Sequence, residues 1–216
     1  MLASVRLATR ADVHPIAASL ALAFEDDPVM AFLFPSRPSR VRRLARFFRA
    51  GLLAQHLSNR ACFTDAECAG AALWAPPHRW HFTVAQIVRG APGFVSALGT
   101  RIPRGLRALA TVERAHPRAP HYYLAVLGTR PERQGMGLGS SLLRPILDRC
   151  DAEGLGAYLE SPKERNIAFY QRHGFEVTGE IRLPGGPLVW PMWRDPRPPP
   201  EGLLSVPPHR DEQRGT

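Results

Sequence analysis

Hydrophobic positions recur along this chain at two spacings, and the change from one to the other divides it into elements. Val13, Ile16, Ala17, Leu20 and Phe24 fall on one helical face, which predicts a helix over 12–24 capped by Asp12 and broken by Asp26-Asp27-Pro28. A second helix is expected over 40–57, where Val41, Leu44, Ala45, Phe48 and Leu52 share a face and arginines occupy the others. Short runs at 4–7, 61–64 and 70–75 read as strands, the last closed by Pro76-Pro77. Residues 81–116 keep the helical period but contain Gly90, Pro92, Gly93, Gly99 and Pro103, so short helices are expected there rather than one long one.

The texture then changes. Residues 122–127 form a buried-strand run, followed by a glycine-rich turn and an apolar-periodic helix. A strand at 157–160, a short helix over 166–173 and two strands joined by 183–187 complete the pattern. This order predicts an α/β (α+β) fold with a sheet of mixed direction flanked by helices. Pro145, inside the helix after the glycine turn, is expected to kink it. One domain is expected over 1–195. The segment 196–216 is rich in proline and charge and lacks periodicity, which predicts a disordered tail.

Composition then narrows the range of functions. The chain has 216 residues, 44% of them hydrophobic, enough for an ordinary core. Its opening residues lack a charged leader followed by an apolar run, and no stretch approaches 18 consecutive apolar residues. Neither a signal peptide nor a membrane partner is expected. Cys62, Cys68 and Cys150 are odd in number and lack C-x-x-C spacing, which argues against a disulfide framework or a metal and for a cytoplasmic home. The net charge of +9 is almost all arginine, Lys163 being the lone lysine. A basic chain suits nucleic acid or an anionic cofactor, but no nucleic-acid-binding motif accompanies the charge. Nucleic acid is therefore not expected as a partner.

The candidate chemistry lies in Arg133-Gln134-Gly135-Met136-Gly137-Leu138-Gly139, at a strand-to-helix junction. Glycines let backbone approach a ligand, and the first N–H groups of a helix lack internal partners. Such a turn suits a phosphate. A P-loop would need Gly-Lys-Ser/Thr, which is missing, and G-x-G-x-G is not the dinucleotide spacing G-x-G-x-x-G.

Residues 134–139 resemble the acetyl-CoA signature of the GNAT superfamily of N-acetyltransferases. Residues 166–175, with Asn166, Tyr170 and Gly174-Phe175, resemble its second marker. The resemblance extends to the group around puromycin N-acetyltransferase through Val5-Arg6-Leu7-Ala8-Thr9-Arg10, Leu159-Glu160-Ser161 and Gly186-Pro187…Trp190…Met192. It is strong over about 105–195 and the first 30 residues and weak over 35–105.

The resemblance implies a mostly antiparallel central sheet with a splayed strand pair holding acetyl-CoA. It implies acetyl transfer to the primary amine of a small molecule by direct attack, in a monomer or homodimer. Leu127 and Thr129 would meet the pantetheine arm, and Gln134, Gly135, Met136, Gly137, Leu138, Gly139 and Ser140 the pyrophosphate. Asn166 would contact pantetheine, and Tyr170 would protonate the departing thiolate. Arg130, Arg133, Lys163 and Arg165 flank this region and could steer the anionic co-substrate.

Thioester aminolysis needs a donor for the oxyanion and an acid for the sulfur. An alkylamine has a pKa near 10, so a base is also needed. Glu113, His116 and His121 are candidates, and Glu113 is the one put forward. Phe24, Asp27 and Phe32 are expected to line the acceptor pocket. Tyr122 and Tyr123 face opposite ways on a strand, and Tyr122 is taken as the pocket residue. Acetylation of a protein lysine or N-terminus and a non-catalytic acyl-CoA-binding module are the alternative functions. The turn spacing predicts that acetyl-CoA, but not NAD or ATP, raises the melting temperature. At about 100-fold above its dissociation constant the gain is roughly 2.7 kcal/mol, readable by scanning fluorimetry.

Overall fold

The computed structural model describes residues 4–81 and 83–197, so most of the proline-rich tail lies outside the described residues. The strands are β1 (Val5–Leu7), β2 (Cys62–Asp65), β3 (Gly70–Ala75), β4 (His121–Thr129), β5 (Gly156–Ser161), β6 (Glu176–Val177), β7 (Ile181–Arg182) and β8 (Leu188–Arg194). The helices are α1 (Val13–Ala23), α2 (Pro28–Leu33), α3 (Arg37–Ala54), α4 (Val84–Leu98), α5 (Ile102–Ala115), α6 (Leu138–Glu153) and α7 (Ile167–Arg172). The sheet order is β1-β2-β3-β4-β5-β8-β6, with β7 paired to β8. Among the described strands β4 and β5 pair in parallel and the other pairs are antiparallel, as the α+β pattern predicts.

Both faces of the sheet are covered. On one face α6 lays Leu138, Leu142, Leu143, Ile146 and Cys150 against Ala72, Trp74, Leu124 and Leu159. On the other, Ile16 and Leu20 of α1 and Leu44, Phe48 and Leu52 of α3 pack with Ala71 and Leu73. Every residue of β3 is buried, and its side chains alternate between the two cores. The short side chains there let helices approach from both sides.

The feature that positions the site is a parting of two strands. β4 pairs with β5 from His121↔Gly156 to Leu124↔Leu159 and no further. A bulge follows, since Trp74 faces Leu124 while Leu73 faces Val126, leaving Ala125 as the extra residue. Beyond it β4 stays with β3 as far as Gly70↔Thr129, and β5 stays with β8 as far as Ser161↔Trp190. The edge of β4 facing the opening therefore lacks a strand partner.

Several expectations are corrected in detail. Asp12 precedes α1 without capping it, because its carboxylate accepts from Thr9 N, Thr9 Oγ1 and Arg6 instead. The break expected at Asp26-Asp27-Pro28 starts a new helix: Asp27 Oδ1 accepts from Met30 N at 3.0 Å and Pro28 supplies the first turn of α2. Residues 81–116 contain two helices of ordinary length that meet at Gly99, φ +56°. Gly93 stays inside α4 because α3 crosses there; a Cβ on it would lie 2.6 Å from Ala50 Cβ. Pro145 lies inside α6, as its place in the sequence implies, with buried residues on both sides of it. The exposed two-residue β6 has no apolar pattern to announce it.

α1 reaches the free part of β4 by way of Gly128. A Cβ there would meet Leu20 Cδ2 and Phe24 Cε2 at 2.8 Å. Gly128→Ala is expected to push α1 off β4 and to lower stability by about 1–3 kcal/mol, measured by denaturant unfolding.

Candidate active site

The parting of β4 and β5 opens a cleft of about 510 Å³, lined by Leu124 to Thr129 on one side and Leu159 to Lys163 on the other. At one end the glycine turn closes it. Gly135 and Gly137 have φ of +74° and +80°, and a Cβ on either would meet nothing within 4 Å. Glycine is thus required for the left-handed backbone, and the space beside it is open for a ligand. Gly137 precedes the first turn of α6, whose leading N–H groups have no helical acceptor. Gln134 Nε2 donates to Thr129 O at 3.0 Å and ties the turn to the end of β4. Gly139 lets α7 close in, since a Cβ there would lie 3.2 Å from Phe169 Cζ.

The sequence-predicted residues divide clearly. Leu127, Thr129, Gln134, Gly135, Gly137, Leu138, Gly139, Ser140, Asn166, Tyr170, Phe24 and Asp27 all line the cleft. Met136, 66% exposed, is not among its lining residues. Phe32 also lies off the lining, beneath Arg104, whose guanidinium sits 4.7 Å from the ring centre. Tyr122 faces the α6 core and donates to Glu153 at 2.8 Å. Its neighbour Tyr123 takes the other face of the strand and donates to Glu160 Oε2 at 2.8 Å. Glu113 stands outside the lining, 3.9 Å from His81 Nδ1.

Tyr170 is 8% exposed, held edge-on by Phe169 and Phe175. Burial, and then the Asp27 carboxylate, raise its phenol pKa above the ordinary value, so the hydroxyl keeps its proton at neutral pH. Asn166 stands at the start of α7 without capping it, so that helix does not claim its amide. Across the opening Asp26 pairs with Lys163 and Arg165, joining the α1–α2 corner to the segment after β5. Ser140 Oγ lies 3.0 Å from His173 Nε2.

The residue not anticipated in this site is Glu160. Its neighbour Leu159 points into the α6 core, so the alternation of β5 turns Tyr158 and Glu160 to the α1 face. The signal was present: a carboxylate near the end of a buried strand that a core position would not tolerate. Behind Glu160, His116 Nδ1 lies 3.7 Å from Oε1, and His116 Nε2 lies 3.0 Å from His121 Nε2.

The parting of two parallel strands thus opens a cleft with a glycine turn at one end and a buried tyrosine on its wall. The Acetyltransferase (GNAT) family model matches residues 62–175, more than half the chain, and the chain belongs to that family. It is an acyltransferase of a family that uses acetyl-CoA as co-substrate. An uncharacterised N-acetyltransferase of Schizosaccharomyces pombe is 26% identical over 186 residues, covering 80% of this chain and 74% of that protein. An L-methionine sulfoximine/L-methionine sulfone acetyltransferase of Pseudomonas aeruginosa is 36% identical over 55 residues, 24% of this chain and 32% of that one. A Corynebacterium glutamicum structure described as histone acetyltransferase HPA2 and related acetyltransferase superposes with a TM-score of 0.69. It is 28% identical, and the match covers 93% of this chain and 99% of that one. No described helix is long and apolar enough to cross a membrane.

Asp27 generates a pH prediction. Burial raises its carboxyl pKa to about 6, against the opposing pull of Met30 N–H. A carboxyl pKa raised above its unfolded value means stability is greatest at low pH and is lost as pH rises through about 6. Asp27→Asn keeps an oxygen for the cap and removes the buried charge. The variant is expected to melt a few degrees above the parent at pH 7.5, with the gap closing towards pH 5, measured by calorimetry.

Proposed function

We propose that the protein transfers acetyl from acetyl-CoA to the primary amine of a small molecule by direct nucleophilic attack. The observation that carries this reading is the cleft at the parting of β4 and β5, because it brings the glycine turn, Asn166, Tyr170 and Asp27 to one space. The left-handed turn with open space beside it fits a pyrophosphate, held by backbone N–H groups of residues 135–140. The edge of β4 that faces the opening around Leu127 lacks a strand partner and can meet the amide-bearing pantetheine arm, and Asn166 adds a side-chain amide.

The chemistry follows from what each group does. A backbone N–H beside the bulge at Ala125 stabilises the oxyanion as the amine adds to the thioester carbonyl. Tyr170 gives its hydroxyl proton to the sulfur as the C–S bond breaks. A small acceptor is favoured over a polypeptide because Asp26, bridged to Lys163 and Arg165, ties the α1–α2 corner to the segment after β5 across the opening. The buried Asp27 suits a cationic amine. The P. aeruginosa relative is named for small amino-acid analogues, and resemblance to the puromycin group adds an amino-nucleoside to the first acceptors to try. Acetylation confined to peptides would instead favour the protein-acetyltransferase reading.

Tyr170→Phe removes one hydroxyl and keeps the ring that packs on Phe169 and Phe175. Acetyl-CoA affinity is expected to stay within about twofold while turnover falls about 10²-fold, read by thiol release at saturating amine. Turnover within threefold of the parent would leave Tyr170 as a packed aromatic only.

A further inference from the structure

Glu160 is the first residue of β5 beyond its last pair with β4, so it stands where the two strands part and lines the cleft there. Its side chain is 7% exposed and is held on one side, with Oε2 accepting from Tyr123 at 2.8 Å. Oε1 is buried and makes no hydrogen bond. A buried carboxyl oxygen left in that condition is costly, and such groups mark sites that meet a proton or a ligand.

The histidines behind it have protonation states that geometry restricts. Ala119 O can only accept, so His121 Nδ1, 2.7 Å away, carries a hydrogen. In neutral His121 the other nitrogen, Nε2, is then an acceptor. His116 Nε2, 3.0 Å from it, must donate. That leaves His116 Nδ1 as a lone pair facing Glu160 Oε1 at 3.7 Å, two acceptors with room for one proton between them. Once the proton arrives His116 becomes an imidazolium beside a carboxylate, and it can pass its Nε2 proton on to His121. The row is walled by Trp80, stacked on His116 at 3.7 Å, and by Tyr158 and Trp193, edge-on to the rings.

We infer that Glu160 and His116 together form the proton acceptor for the incoming amine, with His121 as the next station. This rests on the acetyl-transfer reading above and adds the base that the reading needs. The acceptor arrives as an ammonium, drawn to Glu160 and Asp27. One N–H proton goes to the Glu160 carboxylate and is stored on His116, which leaves the nitrogen a lone pair. That lone pair forms the C–N bond, and the C–S bond breaks with its electron pair on sulfur. Tyr170 supplies the sulfur's proton and is restored by the second proton lost from nitrogen. The stored proton returns to solvent, so the reaction yields amide, thiol and one H⁺. Glu113, the candidate favoured by sequence, lies outside the cleft lining, its Oε1 3.9 Å from His81 Nδ1.

The test uses the full chain, acetyl-CoA and two classes of acceptor. Glu160→Gln is expected to bind acetyl-CoA as the parent does while turnover of an alkylamine falls about 10²- to 10³-fold. Methoxyamine, which is already neutral at pH 7, needs no first deprotonation and should lose less than tenfold. His116→Phe keeps the ring in its stack and removes the proton store. Its alkylamine rate should fall about tenfold or more, with the acid limb of the pH–rate profile displaced. The titratable neighbours of the row are Tyr123, Tyr158, Glu113, His78 and His81, so the profile is compared with that of Glu113→Gln, which should match the parent.

A readout independent of turnover is the ¹⁵N shift of the His116 imidazole against pH. In Glu160→Gln its Nδ1 resonance should move, because the carboxylate facing that nitrogen is gone. An unchanged His116 Nδ1 resonance, or alkylamine turnover within threefold of the parent, overturns the inference. Failure of the parent to acetylate any amine, with the His116 shift observed, would sink the functional reading and leave the proton-sharing pair standing.

Discussion

β4 cannot follow β3 and β5 at once beyond Leu124, and the rest of the site depends on that geometric fact. The extra residue at Ala125 turns β4 towards β3, while β5 is carried away by its pairing with β8. Two strands that part expose backbone groups that a closed sheet would consume. The cleft is therefore made by the main chain, and side chains only furnish it. Gly128 permits α1 to brace the divergent part of β4, so the opening is held from behind as well as from its ends.

The two faces of the sheet treat this opening differently. On the α6 side the lining is apolar, and Tyr170 reaches it from a packed aromatic group, its proton retained by burial. On the α1 side the same strands present Tyr123, Tyr158 and Glu160, with His116 and His121 stacked behind them. The alternation of β5 turns Glu160 to one face, while Tyr170 comes to the other on α7.

Burial of Asp27 follows the same logic at a cost in stability. Burial raises its carboxyl pKa to about 6, and the residue also caps α2, so one group holds a helix start and sets the charge of that part of the cleft wall. Asp26 beside it is exposed and is taken up by Lys163 and Arg165. The pair Asp26-Asp27 thus divides into a surface latch and a buried charge.

Local chemistry alone was enough to place much of this. The apolar periods located α1, α3, β3, β5 and the long α6, and the glycine spacing located the turn, because those features depend on backbone conformation and single-element amphipathicity. The cleft residues between Leu127 and Ser140, Met136 excepted, with Asn166 and Tyr170, were legible through the family resemblance, because they sit in two contiguous motifs. What depends on two distant segments meeting was not legible. Phe32 and Tyr122 are of suitable types but point elsewhere, since a strand has two faces and only the packed helices decide which one is core. Glu160 was visible as a letter in β5, yet its place beside His116 is a contact across 44 residues of chain that no periodicity encodes. The sequence by itself determined the elements, the turn and the class of chemistry; the tertiary structure decided which face each strand turned to the cleft, because pairing register and helix packing act between segments and not within them.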